Sequence, residues 1–98
     1  MTDLAKIVIL GGGLAGLAAG YRLSREHEVM VLEKEKVLGG LAASFEINGR
    51  TIPICYHHIM RADKAIQELI REVGLEDDLY WTKAKTGFLY NNKIYKLA

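Results

Sequence analysis

The chain opens on a short apolar run, Lys6 to Leu10 (KIVIL), rich in β-branched residues. Such a run predicts a strand buried on both faces, as strands of parallel sheets are. Three glycines then interrupt it. Over residues 14–26 the first turns hold small and apolar side chains, and polarity returns at Arg22, Ser24, Arg25 and Glu26. That pattern predicts a helix packed closely on a sheet, with Ala and Gly permitting the approach. Residues 28–33 (EVMVLE) form a second apolar run of strand length. Strand, helix and strand within roughly 30 residues predict a right-handed βαβ crossover.

The pattern then changes. Residues 43–47 and 50–54 flank Asn48-Gly49, and an Asn-Gly pair between apolar-rich runs predicts a hairpin. From Asp63 a helix follows: Asp63 can cap it, Ile66, Leu69, Ile70 and Val73 share one face, and Gly74 can end it with Leu75 folding back. Beyond Trp81, residues 87–90, Asn91-Asn92 and residues 93–97 predict a second hairpin, because Asn tolerates the positive φ that such turns require. The expected fold class is therefore α/β, a Rossmann-like βαβ unit followed by hairpin, helix and second hairpin. The sheet is incomplete within this chain, since no third βαβ unit is visible.

Ninety-eight residues, half of them hydrophobic and only one a proline, suit one compact domain with a modest core. Residues 1–45 form its βαβ core and 46–98 the hairpins and helix. Thirteen basic residues against twelve acidic ones create no field favouring nucleic acid or an anionic membrane. The one cysteine, Cys55, excludes an intramolecular disulfide, fits a reducing compartment and makes the cytoplasm the expected location. The uncharged stretch at 7–21 is too short to span a bilayer and is split by glycines, so no transmembrane segment is expected.

Gly11, Gly13 and Gly16 compose G-x-G-x-x-G at the predicted strand–helix junction, with Gly20 one turn on. The first glycine allows a sharp turn, the second lets a pyrophosphate approach, and the later ones let helix and strand pack. The helix N-terminus then offers amide donors and a positive dipole end to phosphates. Glu33 closes the second strand where an acid is expected to accept hydrogen bonds from ribose hydroxyls, and it disfavours a 2′-phosphate. Adenosine and pyrophosphate are common to FAD and NAD, so the choice rests on Gly39-Gly40. A diglycine just past the acid, leading into a hairpin instead of another βαβ unit, suits the phosphate or ribityl part of an extended dinucleotide.

The stretches IVILGGGLAGLAAGYRL (7–23) and VLEKEKVLGGLAASF (31–45), and more loosely IPICYHHI (52–59), resemble the flavin amine oxidase, protoporphyrinogen oxidase, phytoene desaturase and UDP-galactopyranose mutase superfamily. The resemblance covers about the first half of the chain. It implies FAD contacts from Gly11, Gly13, Leu14, Ala15 and Gly16, ribose contacts from Glu33 with Lys34 beside it, and phosphate or ribityl contacts from Gly39, Gly40 and Leu41. It also implies that the stretch around Tyr56 to His58 lies near the flavin ring, with His57 the weakest candidate. Many members carry arginines two residues before the diglycine and directly after it. Here Val37 and Leu41 stand there, so only backbone contacts carry over. In this superfamily the FAD domain is completed by a C-terminal portion of a longer chain; the second half here is then the start of a substrate domain, and the chain is expected to be a partial enzyme or to self-associate.

Other residues carry less chemistry. Adjacent strand residues face opposite ways, so an extended His57-His58 pair cannot chelate one ion, and no metal site is expected. Cys55 reads as a small apolar core residue. Tyr80, Trp81, Phe88, Tyr90 and Tyr95 read as hairpin core or a channel lining. No residue qualifies as a catalytic acid, base or nucleophile. The leading expectation is the FAD-binding segment of a flavin-dependent oxidoreductase acting on an unidentified small molecule. Behind it stand a fragment of an NAD-dependent dehydrogenase and a non-catalytic nucleotide-binding module that assembles with another chain.

Overall fold

A computed structural model describes residues 3–56 and 58–97, and the chain falls into two compact units, Met1–Ala62 and Asp63–Ala98. The first begins with strand β1 (Lys6–Leu10), helix α1 (Leu14–Leu23) and strand β2 (Glu28–Leu32). The strands pair in parallel with Lys6 opposite Glu28 and Leu10 opposite Leu32. Alternate residues turn toward the helix: a Cβ at Gly20 would lie within 3.8 Å of Val31, Ile9 and Val29 side chains. The βαβ reading therefore holds, although α1 ends at Leu23, earlier than its polar tail suggests, and residues 24–26 turn into β2.

One helix on one face of a two-stranded sheet cannot enclose a core. Val8, Leu10, Met30 and Leu32 on the opposite sheet face are all exposed, Leu10 by 81%. Among the described residues no hydrophobic side chain is buried, and only Gly12 and Gly20 are buried at all. The modest core expected from composition is thus absent, because half-buried contacts across a single sheet face replace it.

Strands β3 (Ser44–Ile47) and β4 (Arg50–Pro53) form the predicted hairpin, antiparallel with Ser44 opposite Pro53. Asn48 and Gly49 take φ of 49° and 73°, the two left-handed positions of the turn that best suits strand twist. Cys55 follows and is exposed, so it is not the core residue that its chemistry suggested.

The second unit holds helix α2 (Lys64–Glu72) and strands β5 (Gly87–Tyr90) and β6 (Lys93–Lys96). Asp63 stands at the N-cap without a side-chain capping bond. Gly74 ends the helix at φ +76°, and the Leu75 amide donates back to the Ile70 carbonyl at 2.9 Å, the closure expected of a glycine C-cap. Residues 76–78 make one exposed 3-10 turn, with Arg71 Nε donating to Glu76 Oε1 at 3.2 Å. In the second hairpin Phe88 stacks on Tyr95 at 5.1 Å, and Asn91 and Asn92 both take positive φ. Among the described residues no helix is long and apolar enough to cross a membrane.

Candidate dinucleotide site

The site is built where β1 stops. Gly11 adopts φ +107°, a conformation that an L side chain disfavours, while its amide makes the last rung to the Leu32 carbonyl at 2.7 Å. The chain therefore turns at once and enters α1 through Gly13, the N-cap. No side chain caps this end and no acid lies in the first turn. The first helical bond runs from the Leu17 amide to the Gly13 carbonyl, so the amides just before Leu17 have no acceptor within the helix. A ten-residue helix thus aims orphan donors and its positive end out of the turn. Space explains the later glycines. A Cβ at Gly16 would fall on the Gly11 carbonyl oxygen, whereas nothing stands within 4 Å of a Cβ at Gly11.

Glu33, one residue past β2, is drawn to this loop. Its Oε2 accepts from the Gly12 amide at 2.5 Å and its Oε1 from the Glu35 amide at 2.9 Å. Bonds from the Glu35 and Gly12 backbones, assisted by Lys34, hold its carboxyl below the ordinary value of 4.5, so the side chain is an anion fixed against the fingerprint. A cleft of about 590 Å³ lined by Leu10, Gly11, Leu32, Glu33 and Lys34 opens here. It lies at the carboxyl ends of both strands, the edge at which open parallel sheets receive ligands.

The diglycine returns to the same place. Gly39 and Gly40 take φ of +113° and +57°. The Gly39 amide donates to the Gly12 carbonyl at 2.7 Å, and Gly13 and Gly39 form an isolated parallel bridge. A Cβ at Gly40 would stand 3.1 Å from the Gly13 Cα. The two glycine loops are therefore joined backbone to backbone, with a 3-10 turn at Gly40–Ala42 following. Leu14, Ala15 and Leu41 are exposed around this junction. Lys34 is exposed with its Nζ 3.9 Å from Glu35 Oε1. His57 lies outside the described residues; its neighbour His58 places Nδ1 2.9 Å from the Tyr56 hydroxyl.

Sequence reasoning passed over Gly12, an unassigned position within G-x-G-x-x-G. Its amide holds Glu33, its carbonyl holds the diglycine, and the Leu38 side chain lies over it. The unbroken run of three glycines was the available signal.

The model of the NAD(P)-binding Rossmann-like domain matches residues 9–73, well over half of the chain. The chain belongs to this family. The Rossmann-like chain is 34% identical to 15-cis-phytoene desaturase of Narcissus pseudonarcissus over 90 residues, which are 90% of this chain and 16% of that protein. Its fold matches the crystal structure of a fatty acid isomerase from P. acnes with a TM-score of 0.76 at 30% identity, over 95% of this chain and 22% of that one. A structure from Exiguobacterium sp. 255-15, assigned as a protoporphyrinogen oxidase, matches with a TM-score of 0.72 at 26% identity, over 98% and 22% respectively. These likenesses place the chain in the superfamily of desaturase-like and protoporphyrinogen oxidase-like proteins, related to oxidoreductases. Matched curated relatives extend well past it: the chain spans 53% of one, 23% of another and 16% of the desaturase.

Proposed function

We propose that this chain binds the ADP half of FAD as the nucleotide-binding segment of a flavin-dependent oxidoreductase. One observation carries the reading: an uncapped helix N-terminus and an anionic Glu33 meet at a single glycine-lined turn. In this reading the amides of Gly13, Leu14, Ala15 and Gly16 receive the pyrophosphate, and the open side of Gly11 admits it. Glu33 accepts from the ribose hydroxyls through its remaining lone pairs, with Lys34 along the same cleft. Gly40 and Leu41 add backbone contacts from the second loop, whose position Gly39 sets, and His57 is the candidate nearest the ring. The flavin supplies the redox chemistry when bound, and the chain supplies orientation and electrostatics. No residue of this chain is assigned a catalytic step.

Fit supports the reading: no side chain from outside the loop stands within 4 Å of a Cβ at Gly11 or Gly13, and the fixed carboxylate opposes a 2′-phosphate, so NADP is disfavoured. The relatives named as a desaturase and a protoporphyrinogen oxidase favour redox work on a small molecule. The exposed Cys55 suits a reducing compartment, and the cytoplasm is the location we assign. The unpaired edges and exposed apolar face of the β1–β2 sheet favour self-association; a monomer by size-exclusion chromatography with light scattering would remove that part.

The test is cofactor retention. Purified chain incubated with FAD and passed through a desalting column is expected to keep flavin absorbance, and NADH is expected to bind more weakly. Tighter binding of NADH than of FAD would favour a nicotinamide-dependent dehydrogenase instead.

A further inference from the structure

The second unit contains a groove that the nucleotide reading does not use. About 530 Å³ in volume, it is lined by Lys83, Lys85, Thr86, Gly87, Ile94 and Lys96 together with Ala84, a size within the range of small-molecule sites. Its construction follows from the hairpin. Lys96 lies opposite Gly87 in the ladder, and the missing side chain at Gly87 leaves the floor open to Ile94, whose Cγ2 would be 3.6 Å from a Cβ there. Ile94 and Lys96 share one face by the two-residue alternation of a strand. The Leu97 amide donates to the Thr86 carbonyl at 2.8 Å, so the approach to β5 is tied alongside β6. Lys83 and Lys85, two residues apart, then rim the same groove.

Charge here is one-sided. Residues 79–97 hold four lysines and no acid, although the whole chain is nearly neutral. None of Lys83, Lys85 and Lys96 has an ion-pair partner among the described residues. Three like charges around one concavity repel one another, and a bound anion relieves that repulsion. Yet the floor is not polar: Ile94, which lines it, is 78% exposed, and Leu89, opposite Ile94 in the ladder and outside the groove lining, is 69% exposed. A bare inorganic anion would leave this surface wet. A flat bilayer would meet the rim but not the concavity.

We propose that this groove binds a single amphiphilic anion, a hydrocarbon chain ending in a phosphate or carboxylate, with Lys83, Lys85 and Lys96 around the head and Ile94 and Leu89 against the chain. The proposal stands apart from the nucleotide site and is tested separately from it.

Decyl phosphate, kept below its micelle concentration, is titrated into the chain and followed by amide chemical shifts, with decanol and inorganic phosphate as controls. Decyl phosphate is expected to shift residues 83–87 and 94–96 and to bind roughly tenfold more tightly than either control. The triple variant Lys83→Gln, Lys85→Gln, Lys96→Gln keeps the fold by circular dichroism and loses that advantage over decanol. Ile94→Ser loses the advantage over inorganic phosphate. Equal binding of decyl phosphate to the triple variant, or shifts confined to residues outside the groove, would overturn the proposal. Co-sedimentation with phosphatidylglycerol vesicles without binding of monomeric decyl phosphate would overturn it in favour of a membrane surface.

Discussion

Replacing Gly16 by alanine places a methyl group on the Gly11 carbonyl oxygen, 3.1 Å from its carbon and 3.4 Å from Ile9 Cγ2. Backbone cannot swing aside as a side chain can. Either α1 tilts off β1, loosening the contact of Gly20 with Val31 and Ile9, or the end of β1 moves and the Gly11 amide loses the Leu32 carbonyl. Overpacking of this kind costs roughly 1–3 kcal/mol, and a lost hydrogen bond adds about 1 kcal/mol. A total of roughly 2–4 kcal/mol is a factor of about 30 or more in the folded-to-unfolded ratio. With no buried hydrophobic side chain in reserve among the described residues, that is enough to unfold the βαβ unit. Gly20→Ala is the control in the same helix. Its Cβ would meet the end of the Val31 side chain at 3.3 Å, which can yield, and alanine gains up to about 1 kcal/mol of helix propensity over glycine. Urea denaturation followed by circular dichroism should therefore show Gly16→Ala destabilised by at least about 2 kcal/mol more than Gly20→Ala. Equal midpoints for the two variants would refute the close-contact reasoning.

Three further outcomes are expected. Gly40→Ala combines a φ of +57° with a Cβ 3.1 Å from the Gly13 Cα, so it should weaken ADP binding about tenfold by parting the two loops, as read by calorimetry. Gly74→Ala meets open space but a φ of +76°, so a penalty of about 1 kcal/mol should appear in the melting of the α2 unit, with no change in nucleotide binding. Because the Glu33 carboxyl is held below 4.5, its hydrogen-bonded anion contributes fully above that pH and the contribution is lost as pH falls through the lower folded-state value. The Gly12 and Glu35 amide shifts should titrate together in that acid window, and Glu33→Gln should flatten both.

The elements were legible because each rested on a local rule. Asn48-Gly49 and Asn91-Asn92 are turn residues whose positive φ needs no tertiary support, and Gly74 ends α2 for the same reason. The fingerprint could be read because its spacing fell between a strand and a helix. What sequence concealed is long-range. Nothing local says that the Gly39 amide is committed to the Gly12 carbonyl, or that Gly12 serves both Glu33 and the diglycine. Composition misled about the core: half the residues are hydrophobic, yet enclosure depends on having layers on both sheet faces, which Val8, Leu10, Met30 and Leu32 lack. The lysine-rimmed groove was invisible for a related reason, since only the pairing of Gly87 with Lys96 brings its rim together.

The central claim is that an ADP moiety is held by the first glycine loop and Glu33. Competition between ADP, FAD and FMN for the chain, measured by equilibrium dialysis, addresses it directly because FMN carries the flavin without ADP. ADP should displace FAD completely and FMN should not. Displacement by FMN but not by ADP would contradict the account.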